Sequence, residues 1–407
     1  MLSCENLIFT NIMEQIIKKT PRIEVVDALR GFVIFAILLI HSLFHFNFLE
    51  YPELGSQPEI LNTLDQLINK FINFMFYGKA HMIFSILFGF TFGIQFSNQQ
   101  IKGNDFGYRF LWRLLLLFGF AIINSAFFPM GDVLHNFALV GVVLVIVRKW
   151  SNKAIFITAI ILLIIPSDLY HFVRYLINPE YTLPDIEKYS YLYEEVVAVS
   201  KNGGFGKFIW TNITVANYYG LFYEGISGFS LRAGLFLIGL LISRTQLFVV
   251  SPKSNNFWKK GLIIAVILFV AFYFLKSLMF DKGYFVIENT IGQTIYTWQK
   301  ISLAMILVAS FVLLYQKPFF KKVSSPLKYY GKMSLTNYVA QSIFGFIIYF
   351  PLGFYLAPYC GYTVSFLIGC AIFTLQVLVS KWWLKNHKQG PLEGFWHKLT
   401  WINSKRE

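Results

Sequence analysis

Charge is scarce in this chain. Only 14% of its 407 residues are Asp, Glu, Lys or Arg, against about a quarter in a typical soluble domain. With a mean hydropathy of +0.56, that excludes an ordinary soluble enzyme, a disordered chain and a small disulfide scaffold. Cysteine is nearly absent. Cys4, Cys360 and Cys370 form an odd set with no CxxC spacing, so neither a disulfide framework nor a zinc site is indicated, and Cys360 and Cys370 are read as packing residues. No internal repeat of the kind that marks many secondary transporters is seen. No cleavable signal peptide precedes the first apolar run, which is therefore expected to stay as a span oriented by Lys18, Lys19 and Arg22. The stretch before Met13 has no clear role, and Met13 is an alternative start that N-terminal sequencing would decide.

What the chain has is apolar and aromatic surface: 56% hydrophobic residues, with 45 Phe and 23 Tyr. At about 20 apolar residues per crossing, this supports an all-α, polytopic integral membrane helix bundle of about ten spans. They are placed near 25–46, 79–97, 109–128, 132–148, 153–170, 219–243, 258–279, 293–315, 329–350 and 361–384. The segment 60–77 is apolar at helical spacing but carries Asp65, Lys70 and several Asn, and reads as an amphipathic interfacial or packing helix. The expected organisation is a cytoplasmic segment 1–24, a helical membrane domain 25–384 with a partly structured outer loop at about 171–218, and a cytoplasmic tail 385–407.

The sign of the charge fits that layout. Most of the 35 basic residues fall at one set of helix ends, from Lys102, Arg109 and Arg113 through Arg148, Arg244 and Lys321 to the tail residues Lys405 and Arg406. The opposite loops collect acids, including Glu50, Glu53, Asp168, Asp185, Glu187 and Asp281. The positive-inside rule then puts both termini in the cytoplasm, and it explains the net charge of +14 without nucleic acid. The location expected is a membrane whose cytoplasmic face meets the basic helix ends.

Ionisable residues inside spans are functional candidates. Asp27 and Arg30 lie near the cytoplasmic end of the first span, and His41 and His45 lie further out. Arg30 and His41 are about 16 Å apart along a helix axis, so a cation at the inner mouth and an imidazole past the midplane share one helix. Arg30 could hold the phosphates of an anionic donor, or pair with Asp27 and snorkel. His41 could act as a general base, or bond a neighbouring helix. His41 and His45 share a face, but no carboxylate or Cys sits at a matching spacing, so no metal is expected. His81 falls beside Lys79 at the start of the second span. Asp132 and His135 stand one helical step apart at the start of the fourth, where Asp132 could equally be a helix cap. Glu224 and Arg232 should face the bundle interior as an ion pair or as part of a polar cavity. Ser334, Asn337 and Gln341 form a stripe better explained by interhelical hydrogen bonds, and Lys276 and Lys300 are expected to snorkel.

Five ordered stretches, RIEVVDALRGFVIFAILLIH, KAHMIFSILFGFTFGI, GDVLHNFALVG, GKMSLTNYVAQSI and GPLEGFWHKLTW, resemble the YeiB family of bacterial membrane proteins, from Arg22 to Trp401. That family is defined largely by a domain of unknown function. It is grouped with transmembrane acyltransferases, among them acyltransferase family 3, whose first span carries a basic residue, ten residues and a histidine. Arg30 and His41 fit that spacing. YeiB members more often have Asn at the position of His41, so this chain departs from its own family there and agrees with the related one. The GxSxG and HxxxxD signatures of soluble acyltransferases are absent.

The resemblance implies transfer from acyl-CoA or acetyl-CoA, held at the cytoplasmic side by Arg30, Asp27, Arg109 and Arg113. The acceptor hydroxyl or amine would enter from the outer side toward His41, with Asp132, His135 and Glu224 orienting it or tuning the imidazole. The partners expected are membrane lipids, acyl-CoA, an acceptor the sequence does not identify and, where the chain self-associates, a second copy in a homodimer. The rival classes are a small-molecule transporter or exporter, and a non-catalytic membrane binding or immunity protein.

Overall fold

The computed structural model describes residues 23–47, 50–53, 56–129, 132–184, 189–280 and 283–402, without the Glu224 side chain. The basic flank Lys18, Lys19 and Arg22, the alternative start Met13, Cys4, the acids Asp185, Glu187 and Asp281, and the tail residues Lys405 and Arg406 lie outside the described residues. Among those described, every regular element is helical. Seven helices among the described residues are long and apolar enough to cross a membrane, or eight if one bent pair is a single span. The chain is a multi-pass helical membrane protein.

Helix α1 (Glu24–Ile40) carries Glu24 and Asp27 in its first turn, where acids suit the helix dipole. It runs on into a π-helical turn, His41–His45, closed by the Phe46 N–H on the His41 carbonyl at 2.7 Å. This is the axial helix: 83% of its apolar window is buried. Helix α2 (Glu59–Met75) is the amphipathic segment, with Asp65 and Ile72 buried, and Gly78, at φ 77°, turns the chain into α3 (Lys79–Ile101). Then follow α4 (Gly107–Ser125), α5 (Val133–Val140), α6 (Val142–Val147), α7 (Asn152–Leu163), α8 (Pro166–Ile177), α9 (Ser190–Asn202) and α10 (Phe205–Thr211). The second half comprises α11 (Asn217–Arg244), α12 (Pro252–Met279), α13 (Gln293–Leu314), α14 (Ser325–Lys332), α15 (Ser334–Tyr349), α16 (Tyr362–Asn386) and α17 (Pro391–Thr400). Only 6% of the α12 window is buried, so α12 lies at the lipid boundary.

Small residues let backbones touch where side chains would hold them apart. A Cβ on Gly89 of α3 would strike the Phe236 backbone of α11, and one on Gly31 of α1 would strike the Leu327 carbonyl of α14. The stripe on α15 works as interhelical glue: Asn337 donates to Ser380 Oγ at 3.0 Å and Gln341 donates to Tyr330 Oη at 2.8 Å.

Four of the ten expected spans are interrupted. The 153–170 run breaks between α7 and α8 with a 51° bend, because Pro166 follows Ile165 at φ 57° and the residue before proline is steered away from the helical region. The 132–148 run divides at Gly141 and the 329–350 run at Met333. Helix α11 kinks at Gly225 (φ 55°, ψ −168°), a conformation in practice reserved for glycine. Length and composition thus support seven or eight full crossings, with the remaining runs built from short helices.

Candidate functional site: two cavities along one helix

The π-helical turn at the end of α1 presents His41 and His45 with ring centroids 5.2 Å apart. Turns of this type often mark functional positions in helices. Both rings line a cavity of about 490 Å³. Around it stand His81 from α3, Asp132 and Asn136 at the start of α5, Arg232 from α11, Lys300 from α13 and Tyr338 from α15. The His41 ring packs on Phe128 at 4.8 Å and on Tyr338 at 5.9 Å.

Asp132 caps α5, its Oδ1 accepting from the Leu134 N–H at 3.0 Å and from the Tyr338 hydroxyl at 3.0 Å. The Asp132 N–H donates to Asn217 Oδ1 at 3.1 Å. The capping role is therefore real, yet it occupies only one carboxylate oxygen. Asp132 Oδ2, Asn136 Oδ1, His41 Nδ1 and His45 Nδ1 are buried without a hydrogen-bond partner among the described residues. Each such group costs about 1–3 kcal/mol, so their concentration in one polar cavity points to a site that receives a polar molecule. His135 Nδ1 is likewise buried without a partner among the described residues, but His135 does not line this cavity. Its ring packs edge-on to Phe118 at 4.8 Å, on the side of α5 that faces α4. Glu224 lies one residue before the Gly225 kink in α11, and its side chain is outside the described residues. Among the described residues no three His, Cys, Asp or Glu groups converge to hold a metal.

At the other end of α1 lies a second cavity of about 270 Å³, lined by Arg30, Arg113, Gln95, Glu393, Trp396 and His397 over a floor of Phe84, Phe88 and Phe137. Arg30 donates to Thr91 Oγ1 at 2.9 Å and to Asp27 Oδ1 at 3.3 Å, so Asp27 is the ion-pair partner of Arg30. Arg113 lies over the Trp396 ring at 4.1 Å and donates to Thr400 Oγ1 at 3.2 Å. Arg109 does not line the cavity: it donates to the Thr400 and Ile402 carbonyls at 3.3 and 3.1 Å, fastening the C-terminal helix.

Helix α17 thus straps this mouth. Helix α15 has no side-chain cap of its own. Glu393 supplies one from α17, accepting from the Leu335 N–H at 2.6 Å, the Thr336 N–H at 3.1 Å and the Thr336 hydroxyl at 2.6 Å. Burial pushes the Glu393 carboxyl up, against the pull of those hydrogen bonds. The two cavities are divided by α5, which turns Val133 and Asn136 to one and Leu134 and Phe137 to the other.

Lys300 takes a different role from the one expected of it, and Tyr338 and Glu393 join the sites without being candidates from sequence. Lys300, expected to snorkel, lines the His41 cavity because its ammonium sits over Tyr296 at 4.2 Å. Tyr338 reaches Asp132 across 206 positions, and Glu393 reaches Thr336 across 57. The sequence signal for the last was the GPLEGFWHKLTW stretch itself, too polar for a span and too aromatic for a free tail.

The fold and site define a helical, multi-pass membrane protein with two cavities set along its axial helix. The family described as a protein of unknown function (DUF418) matches residues 242–403, which takes in α12 to α17. Over nearly the whole chain there is similarity to "Uncharacterized protein YxaH" of Bacillus subtilis (strain 168), 27% identical over 94% of this chain and 95% of the relative. An "Uncharacterized 39.9 kDa protein in amylase 3'region" of Bacillus acidopullulyticus is 26% identical over 93% of this chain and 94% of the relative. No solved structure matches the chain.

Proposed function

We propose that this protein is an acyl-CoA-dependent acyltransferase of the bacterial cytoplasmic membrane, with both termini in the cytoplasm. The observation that carries the reading is the pair of cavities on α1, Arg30 in one and His41 in the other, with α3, α5 and α15 each lining both. The YeiB resemblance, and through it the transmembrane acyltransferases, supports the same assignment. The donor's phosphates meet Arg30 and Arg113, which present fixed guanidinium donors. The pantetheine arm points up the aromatic floor, and Leu134 and Phe137 must move for the thioester to pass.

In the transfer step His41 takes the proton of an acceptor hydroxyl or amine as its oxygen or nitrogen attacks the thioester carbon. The carbon–sulfur bond breaks, and the proton passes to the departing thiolate, leaving an acylated acceptor and free CoA. Asp132 and Tyr338 position the acceptor beside the imidazole. The test is transfer from labelled acetyl-CoA by detergent-purified protein and by H41A: the wild type labels an acceptor from the host lipid extract, and H41A, still folded, does not. Full activity in H41A overturns the assignment.

A second reading, small-molecule transport, is favoured by one structural feature. The break at Ile165 and the kink at Gly225 are interruptions of the kind that build midplane sites in transporters. Substrate flux in liposomes that contain no acyl-CoA would select it.

A further inference from the structure

Several groups of cations elsewhere in the described residues are paired with carboxylates. Glu24 pairs with Lys321 and Lys328 at 3.3 and 3.5 Å, Asp105 with Arg148 and Lys149 at 3.0 and 3.4 Å, and Glu50 with Lys201 at 2.8 Å. One cluster breaks that pattern. At the His41 end, Lys276 of α12 and Lys300 of α13 hold their ammonium groups 3.9 and 4.2 Å from the centre of a single ring, Tyr296. Lys79, buried at 4% exposure, stands close by, and Lys300 and Lys276 are its charged neighbours. Its ammonium donates to the Asn73 carbonyl at 2.9 Å. Among the described residues no carboxylate lies within ion-pair distance of any of the three. The face of Tyr296 attracts each cation, but it cancels no charge, and like charges brought together out of water repel.

The fold holds this arrangement in place. Gly78, in the left-handed region that favours glycine, carries the α2–α3 corner past Lys300: an added Cβ would lie 3.4 Å from Lys300 Cδ. Lys300 in turn lines the His41 cavity beside Tyr77, Tyr219 and Tyr223. A basic cluster at the acid-rich ends of the helices also runs against the charge bias of the rest of the chain.

We infer that Lys276 and Lys300, with Lys79 behind them, form the binding site for a phosphate monoester or diester at the rim of the His41 cavity. Lysine serves phosphate as a compact point charge with three rotatable donors, and two such groups beside a third supply the charge that a phosphate carries. The molecule's remaining polar part then extends toward His41 and Asp132. Its phosphate comes either from a lipid headgroup, since Lys276 rides on the lipid-facing helix α12, or from a soluble phosphate ester. The inference deepens the proposed function by naming the class of acceptor and rests on that reading for the acceptor's role. The anion site itself rests on the lysine geometry.

The test is calorimetric titration of the full chain in phospholipid-free dodecyl maltoside micelles, without acyl-CoA, with two probes: dioctanoyl phosphatidic acid and inorganic phosphate. Saturable binding at one equivalent is expected for at least one probe. K300Q and K276Q should each weaken it about tenfold or more, the loss of one charge-assisted contact, while K300R keeps most of it and all three unfold at the wild-type temperature. Binding of the lipid probe alone assigns a headgroup, and binding of inorganic phosphate as well assigns a soluble ester. Failure of both probes to saturate, or unchanged affinity in the K276Q/K300Q double variant, overturns the site. Donor binding at the Arg30 end is measured separately, so either reading can fail while the other stands.

Discussion

Glu393→Ala tests whether α17 is fastened as the structure shows. The carboxylate accepts three hydrogen bonds at the first turn of α15, a helix with no cap of its own. Losing a capping acceptor costs about 0.5–2 kcal/mol. Taken off the docking of α17, that predicts about a 2- to 30-fold rise in how often the strap opens. Lys398 is exposed but lies in the docked helix, and its peptide bond becomes cleavable when α17 opens, so trypsin cleavage there, followed by mass spectrometry under conditions where opening and closing are fast, reads the change directly. Glu393→Gln, which keeps an acceptor oxygen but not the charge, should fall between wild type and E393A. Cleavage of E393A at the wild-type rate would refute the capping argument and leave α17 held by its other contacts, among them those of Arg109, Trp112, Arg113 and Trp396.

The same group sets a pH trend. A carboxyl whose pKa is raised by folding, as burial does for Glu393, favours docking most fully below its unfolded value, and that contribution is lost as pH rises through the folded value; trypsin-independent probes such as hydrogen exchange at α17 should therefore show more opening at neutral than at mildly acid pH. Asp132→Asn separates cap from chemistry, because Asn caps as well as Asp: the variant should keep its unfolding temperature and lose acyl transfer, whereas Asp132→Ala should also lose about 1 kcal/mol of stability. His41→Ala should retain acyl-CoA binding at the Arg30 end while losing transfer, which a binding isotherm paired with a turnover assay will show.

Composition and hydropathy carried the membrane class and the helical architecture, because burial in lipid demands long apolar helices and leaves a signal in every window. Span interruptions left far less: Gly141 and Met333 break helices inside runs that stay apolar throughout, and hydropathy does not register a backbone turn. Pro166 did carry a local signal, and the Ile165 break follows from it. On α1, the helical rise alone separates Arg30 from His41, so their placement in different cavities was legible as spacing. His135 was read with Asp132 because they are neighbours in sequence, but the α5 face that meets Phe118 is fixed by packing against α4. Lys300, Tyr338 and Glu393 converge on their sites through contacts between distant segments, which no local pattern encodes.

The most direct test of the account is a binding isotherm of the purified protein with acetyl-CoA and a longer acyl-CoA, repeated on the R30A/R113A variant and on H41A. The account predicts saturable binding at one site, loss of at least tenfold in R30A/R113A, and wild-type affinity in H41A. Absence of binding by either donor, or equal affinity in R30A/R113A, would contradict it and return both cavities to a transport or binding role.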